Sequence, residues 1–246
     1  AIAIVILGMA LAEGSANDWL PLIVVDGFAL SATVGALLYA GFGGAMAIGR
    51  FSGGYLLELD YKMRYDEESS GFVTLKGQAV IVKEPESVSQ AQVTYISAFF
   101  QGFENAIRAA DGVDAKSGKH YSAFVDMQSL ARKYVLEEVL KNRDANRSSL
   151  YFFKPADSDS TLAFAGPAWD YDAAMGNYAT REGDKGLLPE YFAVNCDEGE
   201  TFYIFPQLYA HEDFRQAATA SFYADFVPAL EVLLGKREDA TGTLKS

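Results

Sequence analysis

Lysine and arginine are absent from the chain before Arg50, and this absence limits how that stretch can fold. The same stretch holds only three acids, Glu13, Asp18 and Asp26, whereas nineteen basic residues (20 minus 1) and thirty acids (33 minus 3) follow it. Residues 1–50 are otherwise apolar and rich in Gly and Ala. So little charge suits a bilayer or a protein core, whereas the acidic, aromatic-rich remainder suits water. The chain therefore has two parts that differ in how they fold.

The overall charge and the rare residue types exclude several classes of function. The chain has a formal net charge of -13, and nucleic-acid binders neutralise phosphates with Lys and Arg, so we expect no nucleic-acid partner. The single cysteine, Cys196, excludes an intramolecular disulfide and a multi-cysteine zinc site. Only His120 and His211 are available for a histidine-based metal site. Half of the residues are hydrophobic, which is enough for a core.

Residues 28–49 carry no charged side chain, and about 20 uncharged, mostly apolar residues can span a bilayer core. Small residues recur there at four-residue spacing, as in Ala40 with Gly44, which lets membrane helices pack closely. A signal peptide would need a positively charged start and a shorter apolar run. A helix in the core of a soluble protein is the other interpretation. We expect membrane association through residues 1–50.

Two short motifs in this part carry a resemblance. Residues 12–20 (AEGSANDWL) and 49–54 (GRFSGG) resemble two consecutive transmembrane helices of a major facilitator superfamily transporter. The resemblance covers residues 1–53, which we take as one transporter-like segment. Two helices cannot form the transport path of that family, so the resemblance implies an origin rather than an activity. One interpretation of the whole chain is therefore a transporter fragment fused to a passenger domain.

The remainder shows the mixed strand and helix signals of an α+β fold. Ser89 and Gln92 form a capping box that begins a helix, and Asp126 caps a second helix that ends near residue 141. In the second helix Lys133 and Glu137 lie four residues apart, on a different face from the apolar side chains. Short apolar runs predict strands at residues 55–61, 72–83, 150–154 and 161–164. A last helix begins near residue 212, with a kink or interruption at Pro228.

Three aspartates flank the two strands at residues 150–154 and 161–164. Asp144 precedes them, and Asp170 and Asp172 follow them. A hairpin folds the chain back, so Asp144 and Asp170 can approach although they are 26 residues apart (170 minus 144). Mg²⁺ is usually held by one or two carboxylates together with substrate phosphates, and phosphoryl transfer needs a carboxylate at the acceptor hydroxyl. The alternative is that these aspartates only hydrogen-bond their own loops, with Trp169 and Tyr171 as core aromatics.

A second resemblance rests on residues 53–60 (GGYLLELD), 80–86 (VIVKEPE), 124–126 (FVD), 142–144 (NRD) and 166–177 (GPAWDYDAAMGN), of which the last motif is the most specific. Together they resemble the CotH kinase family, atypical protein kinases first associated with bacterial spore coats. The resemblance runs from residue 54 to about residue 235, which leaves 236–246 as a polar tail. It implies an atypical kinase-like large lobe with a catalytic hairpin.

The resemblance implies a role for each of these groups. Asp144 would be the catalytic aspartate that handles the acceptor hydroxyl. Asp170 would bind the metal, with Asp172 as a second carboxylate. Glu58 and Asp60 would lie at the hinge between two lobes, where backbone groups can meet adenine. The implied substrates are ATP with Mg²⁺ and a protein with a Ser or Thr acceptor.

Two departures from the family pattern are expected to affect activity. Ordinary kinases place an Asn metal ligand five residues after the catalytic aspartate, where this chain has Ser149. Either Asn146 substitutes as a metal ligand or the second metal is held loosely. We also expect the small lobe to be missing, because transporter-like helices stand where the family has its strands over ATP, and residues 1–50 contain no lysine to bind phosphate. The chain is therefore predicted to be a partial kinase domain, with a non-catalytic, pseudokinase-like coat or surface protein as the alternative. The implied location is a membrane, the cell surface or a spore coat.

Overall fold

The structure is a computed structural model. It describes residues 31, 33, 54–63, 70–85, 87–142, 144–146, 148–172, 174–177, 191–195 and 204–234. The predictions for residues 1–53, Cys196 and residues 236–246 therefore lie outside the described residues, except at positions 31 and 33. Within the described ranges, no helix is both long and apolar enough to cross a membrane.

One antiparallel sheet forms the centre of the described structure. Its strands are β1 (Tyr55–Asp60), β2 (Gly71–Val73), β3 (Ala79–Glu84), β4 (Leu150–Lys154) and β5 (Phe164–Ala165). They lie in the order β2-β3-β1-β4-β5, so β1 pairs with both β3 and β4. The run at 72–83 forms the β2–β3 hairpin, and β4 and β5 form the second hairpin, although β5 is shorter and later than the strand predicted at 161–164.

The first two helices begin at caps that the sequence predicts, whereas no sequence signal predicted the short helix at Ile204–Tyr209. The capping box is present, since the Ser89 side chain accepts from the Gln92 backbone amide and the Gln92 side chain accepts from the Ser89 amide. Asp126 caps the second helix through the Ser129 amide. A π-helical stretch, Phe222–Phe226, leads into the helix that has Pro228 in its first turn. The helices are α1 (Gln90–Arg108), α2 (Met127–Leu140), α3 (Ile204–Tyr209), α4 (Glu212–Ser221) and α5 (Val227–Leu233).

The main core lies between one face of the sheet and α1. Alternate side chains of β1 point to this face, because successive residues of a strand face opposite sides. Leu57 and Leu59 are buried there, and Phe152 of β4 packs edge-on against Phe100 of α1 at a centroid distance of 5.8 Å. Glu58, between the two leucines, therefore points to the opposite face of the sheet. The α+β prediction is confirmed, with the predicted hinge strand and the predicted catalytic hairpin in one sheet.

Gly102 of α1 tests how tightly this core is packed. A Cβ atom at this position would lie 2.7 Å from the Phe124 ring. Alanine is favoured over glycine in a helix by about 1 kcal/mol, but overpacking a core costs about 1–3 kcal/mol. We therefore expect Gly102→Ala to lower the free energy of unfolding, measured by chemical denaturation. The exposed substitution Thr94→Ala in the same helix should not destabilise the protein. A more stable Gly102→Ala variant would contradict this packing.

Candidate functional site

Asp144 is placed by the end of α2. Lys141 ends the helix in the left-handed conformation, with φ of 55°, and the Asn142 amide donates to the Glu137 carbonyl at 3.0 Å. The chain then turns away from the helix into a short 3₁₀ turn, Asp144–Asn146. The Asp144 carbonyl closes this turn by accepting from the Ser148 amide at 2.9 Å.

The β4–β5 hairpin brings Asp170 back to Asp144. Phe152 pairs with Ala165 in the hairpin, and beyond it the Gly166 amide donates to the Tyr151 carbonyl at 2.8 Å. Four residues later Asp170 adopts the left-handed conformation, with φ of 56°. Among non-glycine residues, Asp and Asn tolerate this conformation best. The predicted approach of Asp144 and Asp170 is found in the fold.

A single hydroxyl joins the two aspartates. Ser149 Oγ lies 3.3 Å from Asp144 Oδ2 and 3.1 Å from Asp170 Oδ2. A hydroxyl has one hydrogen to donate, so it cannot fully satisfy two ionised carboxylates at once. Two carboxylate oxygens therefore lie close together, and Ser149 can donate a hydrogen bond to only one of them at a time.

The electrostatics of this group favour a bound proton or cation. Burial, the charges of Asp172 and Asp144, and a side-chain hydrogen bond with Asp172 raise the pKa of Asp170 above its usual value, and the Ser149 hydroxyl opposes the rise. Among the residues that the structure describes, no three His, Cys, Asp or Glu side chains converge closely enough to hold a metal unaided. A cation at Asp170 would therefore need oxygen ligands from a bound molecule as well.

The loop that carries Asp170 and Asp172 rests on a buried face of α2. The Tyr171 hydroxyl donates to Glu137 Oε1 at 2.7 Å, and Lys133 Nζ forms an ion pair with the same carboxylate. The side chains of Lys133 and Glu137 are only 3% and 0% exposed. The face of α2 that carries Lys133 and Glu137 is therefore covered by this loop rather than open to solvent. In the sequence, only the charged pair distinguished this face.

Glu58 and Asp60 lie in β1, with β4 between them and the strand that leads to Asp170. Glu58 Oε2 is 2.8 Å from Lys83 Nζ, and burial raises the pKa of Glu58, with Lys83 and the Tyr151 hydroxyl opposing the rise. Asp60 is buried, and its backbone oxygen accepts from Gln78 Nε2 at 2.8 Å. Because β1 pairs with a strand on each side, most of its backbone N–H and C=O groups are hydrogen-bonded within the sheet, up to its last residues.

A small space lies where β1 ends beside the Asp144 turn. It measures about 10 Å³, room for about one water molecule. Pockets for whole drug-sized molecules measure about 300–1,000 Å³, so this space is a narrow crevice rather than a nucleotide pocket. Its lining includes Leu59, Gln78, Ala145, Ser148, Leu150 and Phe205.

The predicted site residues thus fall into two groups. Asp144, Asp170 and Asp172 interact with one another, whereas Glu58 and Asp60 lie in the sheet beside them. Asn146 ends the 3₁₀ turn, and its side chain is outside the described set. Ser149 was not predicted as the bridge, although it stands where ordinary kinases have the Asn metal ligand, five residues after Asp144. The buried contacts of Lys133, Glu137 and Tyr171 were not predicted either, and the four-residue spacing of the two charges was the only signal for them.

Comparison with known proteins gives one match. A family model described as CotH kinase protein matches residues 46–226, which is 181 of the 246 residues (226 minus 46 plus 1). No curated protein and no solved structure matches the chain. The matched range contains the whole aspartate group and its supporting helix α2. The transporter resemblance of residues 1–53 gains no support from these comparisons.

Proposed function

The chain belongs to the CotH kinase protein family, and on that premise we propose that it is an ATP- and Mg²⁺-dependent kinase acting on a Ser or Thr hydroxyl of a protein. In this proposal residues 54–235 form a partial, kinase-like domain with the catalytic hairpin at β4–β5. The observation that carries the proposal is the pair of carboxylates, Asp144 and Asp170, held 3.3 and 3.1 Å from one Ser149 hydroxyl.

The residues of this group fit a hard cation. Carboxylate oxygens are the ligands that Mg²⁺ takes in proteins, commonly one or two carboxylates plus phosphate oxygens of a substrate. Partial burial and the charges of Asp172 and Asp144 raise the pKa of Asp170, and a bound cation would offset both effects by favouring the ionised carboxylate. Asp170 and Asp172 are the proposed ligands, with Asn146 as a further candidate. Bound there, Mg²⁺ would offset negative charge on the phosphates.

Asp144 is then the group that handles the acceptor. Its carboxylate accepts the proton of the Ser or Thr hydroxyl as that oxygen forms a bond to the γ-phosphorus of ATP. The bond between the γ-phosphorus and the β,γ-bridging oxygen breaks, and ADP leaves with the bonding electrons. Positioned proton acceptors of this kind contribute about 10²–10⁴-fold to a rate.

The mouth of the crevice beside the Asp144 turn is the proposed approach for the adenine ring, because the crevice itself has room for only about one water molecule. Ser148 lines this crevice, together with the buried side chains of Leu59, Leu150 and Phe205. Glu58 and Asp60 would contribute to adenine binding through backbone groups of β1, and only the groups at the end of this strand are open to contact. From that space the turn itself leads to Asp144, so the phosphates would extend toward the aspartates.

Asp144→Asn separates binding from chemistry. The amide keeps the size of the side chain but accepts a proton poorly, so we expect transfer of the γ-phosphate to fall by about 10²–10⁴-fold. Calorimetric binding of ATP with Mg²⁺ should change little, because the proposed cation ligands remain. The measurement is radiolabelled phosphate transfer from ATP to protein acceptors, beside calorimetry on the same sample. Undiminished transfer in Asp144→Asn would overturn the assignment.

The rival function is a non-catalytic coat or surface protein of the same family. It is favoured by Ser149 in place of the Asn ligand and by the absence of a lysine from residues 1–50. It expects no transfer, and nucleotide binding that is absent or indifferent to Asp170. Calorimetry with a folded parent protein and the Asp170→Asn variant therefore distinguishes the two functions.

Ser149→Gly should shift the pH dependence of ATP–Mg²⁺ binding. Glycine removes the hydroxyl and tolerates the left-handed backbone, where φ is 56°. Loss of this hydrogen bond raises the pKa of Asp170 further, so the carboxylate becomes protonated, and loses its cation, at a higher pH. We expect the pH midpoint of binding to rise.

The control for this shift is Ser158→Gly in the exposed β4–β5 turn, where another serine hydroxyl donates to an aspartate, Asp159, at 3.1 Å. It should leave the midpoint in place. A midpoint that stays fixed or falls in Ser149→Gly would contradict the proposed bridge.

A further inference from the structure

We propose that Lys133 and Glu137, acting through the Tyr171 hydroxyl, are positioning residues that set where the Asp170 and Asp172 carboxylates stand. The inference rests on the proposed function, in which those carboxylates hold the cation. Tyr171 stands between the two aspartates in sequence, so whatever fixes its side chain constrains the backbone of both neighbours.

Two contacts tie the loop to α2 on either side of Asp170. After Asp170, the Tyr171 hydroxyl donates to Glu137 Oε1 at 2.7 Å and also lies 3.3 Å from Lys133 Nζ. Before Asp170, the Pro167 carbonyl lies 3.4 Å from the same Lys133 Nζ. One ammonium group therefore reaches both sides of the segment that carries the metal-binding candidate.

The chemistry of the anchor suits a permanent contact. Burial and the neighbouring Glu137 carboxylate raise the pKa of the Tyr171 phenol, so it remains protonated and keeps donating. Lys133 and Glu137 are almost fully buried. A buried ion pair often adds little net stability, but its hydrogen-bond geometry fixes where the two side chains lie. Tyr171 also lies under the ammonium, with Lys133 Nζ 5.5 Å from its ring centroid.

Other contacts limit the remaining freedom of the loop but do not replace this anchor. The Trp169 ring packs against Tyr151 of β4 at a centroid distance of 5.6 Å. Farther on, the Met175 amide donates to the Leu140 carbonyl at 2.7 Å. Closer to the aspartates, Asn142 Nδ2 lies 3.5 Å from the Asp170 carbonyl and the Ala174 amide donates to the Tyr171 carbonyl at 3.1 Å, but neither bond holds the Tyr171 side chain. Partners of this kind, one step removed from a metal ligand, typically change metal affinity or activity about 10–100-fold when they are lost.

The test is Tyr171→Phe in the full chain, probed by Tb³⁺ luminescence and by the Mg²⁺ dependence of phosphate transfer. Tb³⁺ is a hard cation that takes oxygen ligands, so its binding needs no catalysis. We expect both cation affinities to fall about 10–100-fold, with transfer at saturating Mg²⁺ reduced much less. Cation affinities equal to those of the parent would overturn the inference.

The matched control is Tyr121→Phe. Tyr121 is buried too, and its hydroxyl donates to Asp213 Oδ1 at 2.6 Å, but this bond joins residue 121 to α4 rather than to the aspartate loop. It should leave both cation affinities unchanged. The double variant Lys133→Met/Glu137→Leu, which removes both buried charges and the acceptor of the Tyr171 hydroxyl, is the second test and should weaken Tb³⁺ binding as Tyr171→Phe does.

The outcomes separate this inference from the proposed function. If Tb³⁺ binding is lost in Asp170→Asn and weakened in Tyr171→Phe but the parent transfers no phosphate, the positioning role holds and the kinase function fails. If transfer depends on Asp170 but Tyr171→Phe keeps the parent's Mg²⁺ dependence, the function holds and the positioning role fails. A parent chain that binds no Tb³⁺ would overturn the positioning role as well.

Discussion

Asp170→Asn is expected to abolish Mg²⁺-dependent ATP binding and phosphate transfer while making the cation-free protein more stable. The loss of function follows because the amide removes one of the two proposed cation ligands, and its charge with it. Losing electrostatic stabilisation of this kind costs at least about a hundredfold in rate. The backbone is not strained by the change, since Asn also tolerates the left-handed conformation that Asp170 adopts, with φ of 56°.

The gain in stability follows from the direction of the pKa shift. The pKa of Asp170 is raised in the folded protein, so the folded state holds that proton more tightly than the unfolded chain. Stability therefore falls as the pH rises from the unfolded pKa through the folded one, and at neutral pH the full penalty is present. Asn carries no charge and removes the penalty. Because Asp170 is largely exposed, solvent screens the repulsion, and we expect a gain below about 1 kcal/mol, or less than about 2–4 °C in Tm.

Thermal unfolding without divalent cations, at pH 7 and at pH 4, measures this gain. The difference between parent and variant should be larger at pH 7, where the Asp170 carboxylate of the parent is ionised. Asp159→Asn is the matched control, because it also removes one of the 33 acidic side chains, but from an exposed turn. A gain of equal size in the control would mean that the change in net charge alone explains the gain in stability. A less stable Asp170→Asn variant would contradict the crowding of carboxylates around Ser149.

The approach of Asp144 to Asp170 could be predicted because local signals fix each step of the chain between them. The cap at Asp126 begins α2, the left-handed Lys141 ends it, and two short apolar runs pair as the β4–β5 hairpin. A hairpin returns the chain to the place where it began, whatever the rest of the fold does. The family model matches residues 46–226, a range that contains this segment.

Contacts that depend on distant parts of the chain could not be predicted in the same way. The pairing of β1 with β4 joins Leu59 to Leu150 across most of the domain, and no local pattern names that partner. This pairing places Glu58 and Asp60 inside the sheet that carries the β4–β5 hairpin. A hinge prediction from the motif at residues 53–60 carries no information about which strands pair on either side.

The face of α2 that carries Lys133 shows a second limit of sequence reasoning. Charges four residues apart predict contact between the two side chains, but the same spacing occurs on exposed and covered faces. Only the returning loop, through Pro167 and Tyr171, decides that this face is buried. Ser149 shows the same limit, because a serine in a polar stretch becomes a bridge only once Asp144 and Asp170 meet.

Removing one charge of the Lys133–Glu137 pair is expected to destabilise the protein far more than removing both. Lys133→Met leaves the Glu137 carboxylate, which is 0% exposed, without its cation, and Glu137→Leu leaves a buried ammonium without its anion. Breaking a buried pair in this way costs about 3–5 kcal/mol, whereas replacing the whole pair is often nearly neutral. The double variant should therefore recover most of the stability that either single variant loses.

Chemical denaturation of the parent, the two single variants and the double variant gives the coupling energy between the two charges. The control lies one residue away in the same helix, where Arg132 pairs with Asp225 at 2.8 Å and the arginine side chain is 50% exposed. Solvent screens that pair, so Arg132→Met should leave stability nearly unchanged. Single variants at Lys133 and Glu137 as mild as this control would mean that the covered face of α2 opens to water in solution. In that case the loop carrying Asp170 and Asp172 would lose the support on which its geometry depends.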